Sequence, residues 1–144
     1  MNPLAIYRDI DNKSYQIIKE WAETTGLEGK IPRCMHATVM SNTKPVDTTL
    51  VELDTTPITA KLSLDAKTIK IFGEASHVIV FESEELTARE KDIHTLFDLT
   101  RTFDYVPHIS FMYCETTQPS PPPPNITLDI TLGHEQIGNV FIPE

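Results

Sequence analysis

His36-Ala37-Thr38-Val39-Met40 and His108-Ile109-Ser110-Phe111-Met112 are the two stretches on which the reading of this 144-residue chain turns. Side chains in a strand alternate between faces, which would put His36, Thr38 and Met40 on one face and Ala37 and Val39 on the other. His108, Ser110 and Met112 would likewise share a face, opposite Ile109, Phe111 and Tyr113. If the apolar set packs on helices, each histidine points away from the core together with its hydroxyl neighbour. With five histidines and many serines and threonines, roughly one His-x-Ser/Thr match is expected by chance. The weight lies in context: both matches sit in predicted strands, both alternate with apolar residues, and they occupy equivalent places in the two halves of the chain. If the strands are neighbours, two imidazoles and two hydroxyls converge in one groove.

Around these strands the pattern is mixed. Residues 4–9 read as a short strand, and Asp11-Asn12-Lys13-Ser14 offers helix N-caps ahead of Ile17, Ile18, Trp21 and Ala22 at helical spacing. Gly26 or Gly29 would end that helix. Residues 34–40 form the first motif strand, and residues 41–47 have turn composition. Residues 57–64, 68–72 and 77–81 look like strands joined as hairpins or a meander through Asp65-Ala66-Lys67 and Gly73-Glu74. Ser83, Glu84 and Glu85 start a second helix, which must stop before Pro107. Residues 108–114 form the second motif strand. Residues 118–124 hold five prolines and make a stiff connector. Residues 126–132 and 137–142 are expected to close the chain as a hairpin. The whole is one α+β domain spanning residues 1–144, with a mostly antiparallel sheet and two main helices.

Composition narrows the function. The hydrophobic fraction of 40% and charged fraction of 23% suit a soluble globular domain. No apolar run reaches the ~18 residues of a membrane span, and residues 1–9 do not have the pattern of a secretion signal. Two cysteines, Cys34 and Cys114, are expected to be buried free thiols. A formal charge of −9 argues against binding along long DNA or RNA, where phosphate neutralisation supplies most of the affinity. A small phosphate-bearing ligand in a local pocket remains compatible with it.

Two opposed imidazoles suit phosphodiester cleavage. A neutral histidine takes the proton of the attacking hydroxyl, and a protonated one supplies the leaving oxygen. Thr38 and Ser110 can donate to the non-bridging oxygens, where charge builds. The motifs lack metal-ligand spacing, so neither a metal nor another cofactor is expected.

On this motif pair the chain resembles the two-histidine (2H) phosphoesterase superfamily, which carries two His-x-Thr/Ser motifs on central strands of a bilobal α+β fold. Within it the chain is most similar to the phage anti-CBASS nucleases, on its compact size, on residues 34–40 running into Ser41, and on Tyr105-Val106-Pro107-His108. The resemblance implies cleavage of cyclic di- or trinucleotide messengers without metal, in the host bacterial cytosol if the protein is phage-encoded. The ribose 2′-hydroxyl would attack the phosphorus, opening the ring through a 2′,3′-cyclic phosphate. It also implies ligand contacts from an aromatic near the N-terminus, one in the middle strands and a C-terminal acid, for which Tyr7, Phe72 and Glu135 are the nearest candidates. The middle region lacks the tryptophan the family pattern leads one to look for.

Bland readings stand beside each of these. Tyr7 and Phe72 serve equally well as packing residues, Glu135 as ordinary turn chemistry, Trp21 as core, and His94 as a solvated helix residue. Three other functions compete: a 2′,3′-cyclic phosphodiesterase acting on RNA ends or nucleotides, a protein that sequesters cyclic nucleotides intact, and an interaction protein recruiting through its prolines. Oligomeric state, base preference and the roles of the two histidines stay open. Residues 41–50 and the proline stretch are candidate lids.

Overall fold

The computed structural model describes residues 3–45, 48–64, 68–72, 76–98, 104–114 and 126–138. The proline stretch, the expected turns at 65–67 and 73–74, and residues 139–142 of the expected last strand lie outside the described residues.

Both helices begin where the sequence puts a cap. Asp11 accepts from the Ser14 backbone N–H at 3.0 Å and from its hydroxyl at 2.8 Å, starting helix α1 (Asn12–Glu23). α1 buries Ser14, Ile18 and Ala22, and the Trp21 ring lies 4.9 Å from that of Phe111. Ser83 caps α2 (Glu84–Phe97) by accepting from the Leu86 N–H, and Glu84 and Glu85 oppose the positive end of the helix dipole. α2 ends at Asp98, whose φ of 50° is a left-handed conformation that aspartate tolerates better than most residues. His94 is not solvated as expected: it faces Glu90 one turn earlier, 3.1 Å away.

The strands are β1 (Pro3–Asp9), β2 (Gly29–Lys30), β3 (His36–Pro45), β4 (Ile58–Leu64), β5 (Ile69–Phe72), β6 (Ser76–Val80), β7 (His108–Cys114), β8 (Ile126–Leu132) and β9 (Gln136–Ile137). Among the described residues the main sheet runs β5-β6-β7-β3-β1-β9, with β2 also on β7, and β4 pairs β8 in a second sheet. The described pairings are antiparallel. The fold is therefore α+β with two helices and mostly antiparallel sheets.

A twofold echo is visible in its connectivity. β1-α1-β3 and β6-α2-β7 are each a strand, a helix and a motif strand, with the two strands paired antiparallel. The motif strands β3 and β7 lie side by side at the centre. Ile18, Ala37, Val39, Leu86, Ile93, Ile109 and Phe111 belong to the buried core.

Four expectations are corrected. Residues 41–45 continue β3, because β1 pairs with it as far as Pro3↔Pro45 and the ladder overrides turn composition. The expected meander breaks, because β4 pairs β8 rather than β5. Among the described residues the expected closing hairpin is not seen: β8 stays in the small sheet and β9 crosses to β1. Cys34 is exposed, and only Cys114 is buried.

Asp11 joins the two sheets, since its carboxylate also accepts from the Thr131 N–H of β8 at 2.8 Å. Burial pushes its pKa up, but the hydrogen bonds from Thr131 and Ser14 hold it below the ordinary carboxylate value.

Candidate active site

The strand alternation holds through the first four residues of each motif. Ala37 and Val39 are wholly buried while His36 and Thr38 are half-buried, and Ile109 and Phe111 are wholly buried beside half-buried His108 and Ser110. It then fails in both strands at the same place. Ile6 pairs Met40 and Tyr7 pairs Thr38, so Val39 is an extra residue against β1. His77 pairs Met112 and Val78 pairs Ser110, so Phe111 is an extra residue against β6. Such a bulge lets consecutive side chains turn inward. Met40 and Met112 accordingly join the core, at 3% exposure each, instead of sharing the histidine face as strict alternation predicts.

β3 meets β7 at Ala37↔Ile109. Carried one residue either way, that antiparallel register sets His36 across from Ser110 and Thr38 across from His108. The four motif residues thus form one crossed quartet at the centre of the sheet.

Aromatic rings flank it on both sides. The Tyr7 ring centroid lies 5.3 Å from that of His36, and the Phe72 ring meets His108 edge-on at 4.7 Å. Tyr7 and Asp9 of β1 pair directly with Thr38 and His36. Gln136 of β9 pairs with Tyr7, receives its hydroxyl at 3.4 Å and donates to Asp9 at 2.8 Å. The Ser76 and Ser110 hydroxyls lie 3.1 Å apart.

A family model described as Anti-CBASS protein Acb1 matches residues 2–140. The chain belongs to this family. No curated protein matches it. Membership in the Acb1 family places the chain among phage proteins that act against CBASS.

In this Acb1-family chain six of the seven residues singled out from sequence come together: His36, Thr38, His108 and Ser110 at the centre, Tyr7 and Phe72 at the flanks. Glu135 does not join them. It is 1% exposed, and its carboxylate takes Arg89 through two bonds of 2.8 and 2.9 Å and the Asp54 backbone N–H at 2.8 Å. Arg8, also fully buried, lies 3.8 Å from it and donates to Asp54 and to the carbonyls of Thr56 and Gly133. Glu135 therefore ties the β8–β9 turn to the rest of the protein and has no free oxygen aimed at a ligand.

Asp9, Gln136 and Ser76 were not singled out from sequence. The signal for Asp9 was present, since Tyr7 and Asp9 are two apart on one strand and must share a face. Gln136 and Ser76 depend on cross-sheet pairings that sequence does not display.

Burial pushes both motif histidines below the ordinary 6.5. For His36, Asp9 pulls back upward and His108 pushes further down. For His108, a hydrogen bond to the Val106 carbonyl pulls upward. That bond, 2.8 Å from Nδ1, also fixes the tautomer, because a carbonyl only accepts. Neutral His108 carries its hydrogen on Nδ1 and presents a lone pair at Nε2. Among the described residues no cluster of three or more His, Cys, Asp or Glu is suited to a metal ion, and no helix is long and apolar enough to cross a membrane.

Proposed function

We propose that this Acb1-family protein is a 2H-type phosphodiesterase that linearises cyclic di- and trinucleotide messengers without a metal, acting in the host bacterial cytosol. The observation that carries the proposal is the pairing at Ala37↔Ile109, which sets two half-buried imidazoles with their hydroxyl partners on adjacent central strands. The aromatics on either side, Tyr7 and Phe72, suit stacking on two nucleobases, worth ~1–3 kcal/mol each.

The roles follow from the tautomer and from Asp9. His108 Nε2 takes the proton of the ribose 2′-hydroxyl, whose oxygen attacks the phosphorus. The bond from phosphorus to the 5′-oxygen breaks, and that oxygen takes a proton from His36, whose imidazolium the Asp9 carboxylate favours. A 2′,3′-cyclic phosphate and a free 5′-hydroxyl result, so the ring is opened with no net change in protons. Thr38 and Ser110 donate to the non-bridging oxygens as charge gathers there.

Because the two histidines act in opposite protonation states, kcat/KM is expected to be bell-shaped in pH, with its limbs belonging to the pair. Both pKa values lie low, so the maximum falls on the acid side of neutrality. Asp9→Asn removes the group that raises the pKa of His36, so the profile is expected to move to lower pH. A profile that stays in place would take Asp9 out of the electrostatics of His36.

The proposal is tested with a panel of cyclic di- and trinucleotides in excess EDTA, products being resolved by chromatography. Linear products from the native protein are expected. Ligands depleted but recovered intact after denaturation would replace cleavage with sequestration. Turnover restricted to 2′,3′-cyclic phosphate ends of RNA would move the substrate to RNA repair, against the charge of −9.

A further inference from the structure

The joint between the two motif strands is slight for the precision that acid–base chemistry demands. β6 runs along one edge of β7, and β2 and β3 share the other: β2 through Gly29↔Cys114 and Lys30↔Tyr113, β3 through Ala37↔Ile109. Among the described residues this is the one ladder pair between β3 and β7. By contrast β1 follows β3 from Pro3 to Asp9, and β6 follows β7 from Ser76 to Val80. Catalytic groups need holding to about 0.5 Å, which one pair does poorly.

One residue past that pair, on the side of His108, the Thr38 carbonyl accepts from the Tyr105 hydroxyl at 2.8 Å. Tyr105 also opens the run into the second motif. The next carbonyl, of Val106, holds the His108 ring at 2.8 Å, and the next, of Pro107, accepts from the Phe81 N–H at 3.0 Å. Three consecutive residues therefore tie the second motif to the backbone of the first, to its own imidazole and to the end of β6. The Tyr105 ring packs against the core, so the hydroxyl is delivered from a fixed base. Burial and Glu90 push its pKa upward, which keeps it a donor.

We infer that Tyr105 is a positioning residue, whose hydroxyl sets the separation of His36 and His108 by fixing the Thr38 backbone where the ladder stops. Its kinetic consequence rests on the phosphodiesterase reading above; its effect on the two imidazoles does not.

Tyr105→Phe keeps the ring and removes only the donor. Measured below the onset of its thermal melt, the variant is expected to lose ~10–100-fold in kcat on a cyclic dinucleotide, with KM within about threefold, as small misplacements do. The companion measurement needs no substrate. Titrations of His36 and His108 followed by NMR, in native protein and variant, report how strongly His108 depresses His36 while Asp9 on β1 opposes it. The variant is expected to weaken that coupling and raise the midpoint of His36. A shifted midpoint with no cleavage of any ligand by native protein would sink the phosphodiesterase reading and keep the positioning role. Native kcat and KM together with superimposable titrations would overturn the inference, even if the melt had fallen.

Discussion

His36→Ala and His108→Ala are each expected to lower kcat for cyclic-dinucleotide cleavage by ~10²–10⁴-fold, the range spanned by a single general acid or base. The losses will not add in the double variant, because each imidazole is useful only while the other is in the opposite protonation state. Folding should survive. His36 and His108 are half-buried, while the residues that alternate with them, Ala37, Val39, Ile109 and Phe111, carry the packing. His36→Ala gives up its ring contact with Tyr7, and His108→Ala also gives up the bond to the Val106 carbonyl, about 1 kcal/mol of stability. The check pairs steady-state kinetics with a thermal melt. A variant that melts like native protein and still cleaves at the native rate would remove that histidine from the mechanism.

The second large effect falls on stability, at Glu135. Glu135→Ala leaves fully buried Arg8 and the partly buried Arg89 guanidinium without their shared carboxylate, and the Asp54 N–H without its acceptor. Breaking a buried ion pair by removing one partner costs ~3–5 kcal/mol, far more than the pair contributes over an apolar replacement. For a domain of this size that lowers Tm by ~10–20 °C. Asp54→Asn is the contrast. Its side chain is 41% exposed although it lies only 2.8 Å from Arg8, so solvent screening limits the loss to about 1 kcal/mol. Calorimetry on both variants decides the matter. Similar melts for the two would mean that the network around Glu135 is not the buried anchor described here. The same anchor holds the turn from which Gln136 reaches Tyr7 and Asp9, so the Glu135 variant should also bind ligand less tightly.

What could be read from the chain without its structure divides along physical lines. The limits of β7 and β8, the capping of α1 and α2 and the faces of His36, Thr38, His108 and Ser110 come from local signals: alternation, cap chemistry and helical spacing. Those signals do not specify which strand pairs with which. The departure of β4 to β8 and of β9 to β1 are choices among alternatives of equal local quality, decided by the whole core. The twin bulges at Val39 and Phe111 escape for a related reason, since an extra residue is defined only against its partner strand. Glu135 shows the same limit in charge. Beside Gly133 and His134 it reads as turn chemistry, and its partners Arg8, Asp54 and Arg89 lie far off in sequence. Tyr7 and Phe72, chosen by resemblance, fall beside the two histidines because β1 and β5 bring them to either side of the motif quartet.

The most direct test of the two-histidine account uses a matched pair from the substrate panel: a ribose cyclic dinucleotide that is cleaved, and its analogue lacking the 2′-hydroxyls. Both are incubated with native protein in EDTA, and binding is measured alongside turnover. The account predicts that both bind and only the ribose form is opened, to a product ending in a 2′,3′-cyclic phosphate or its hydrolysis product. Opening of the deoxy analogue at a comparable rate would contradict it, because His108 would then have no ribose hydroxyl to activate.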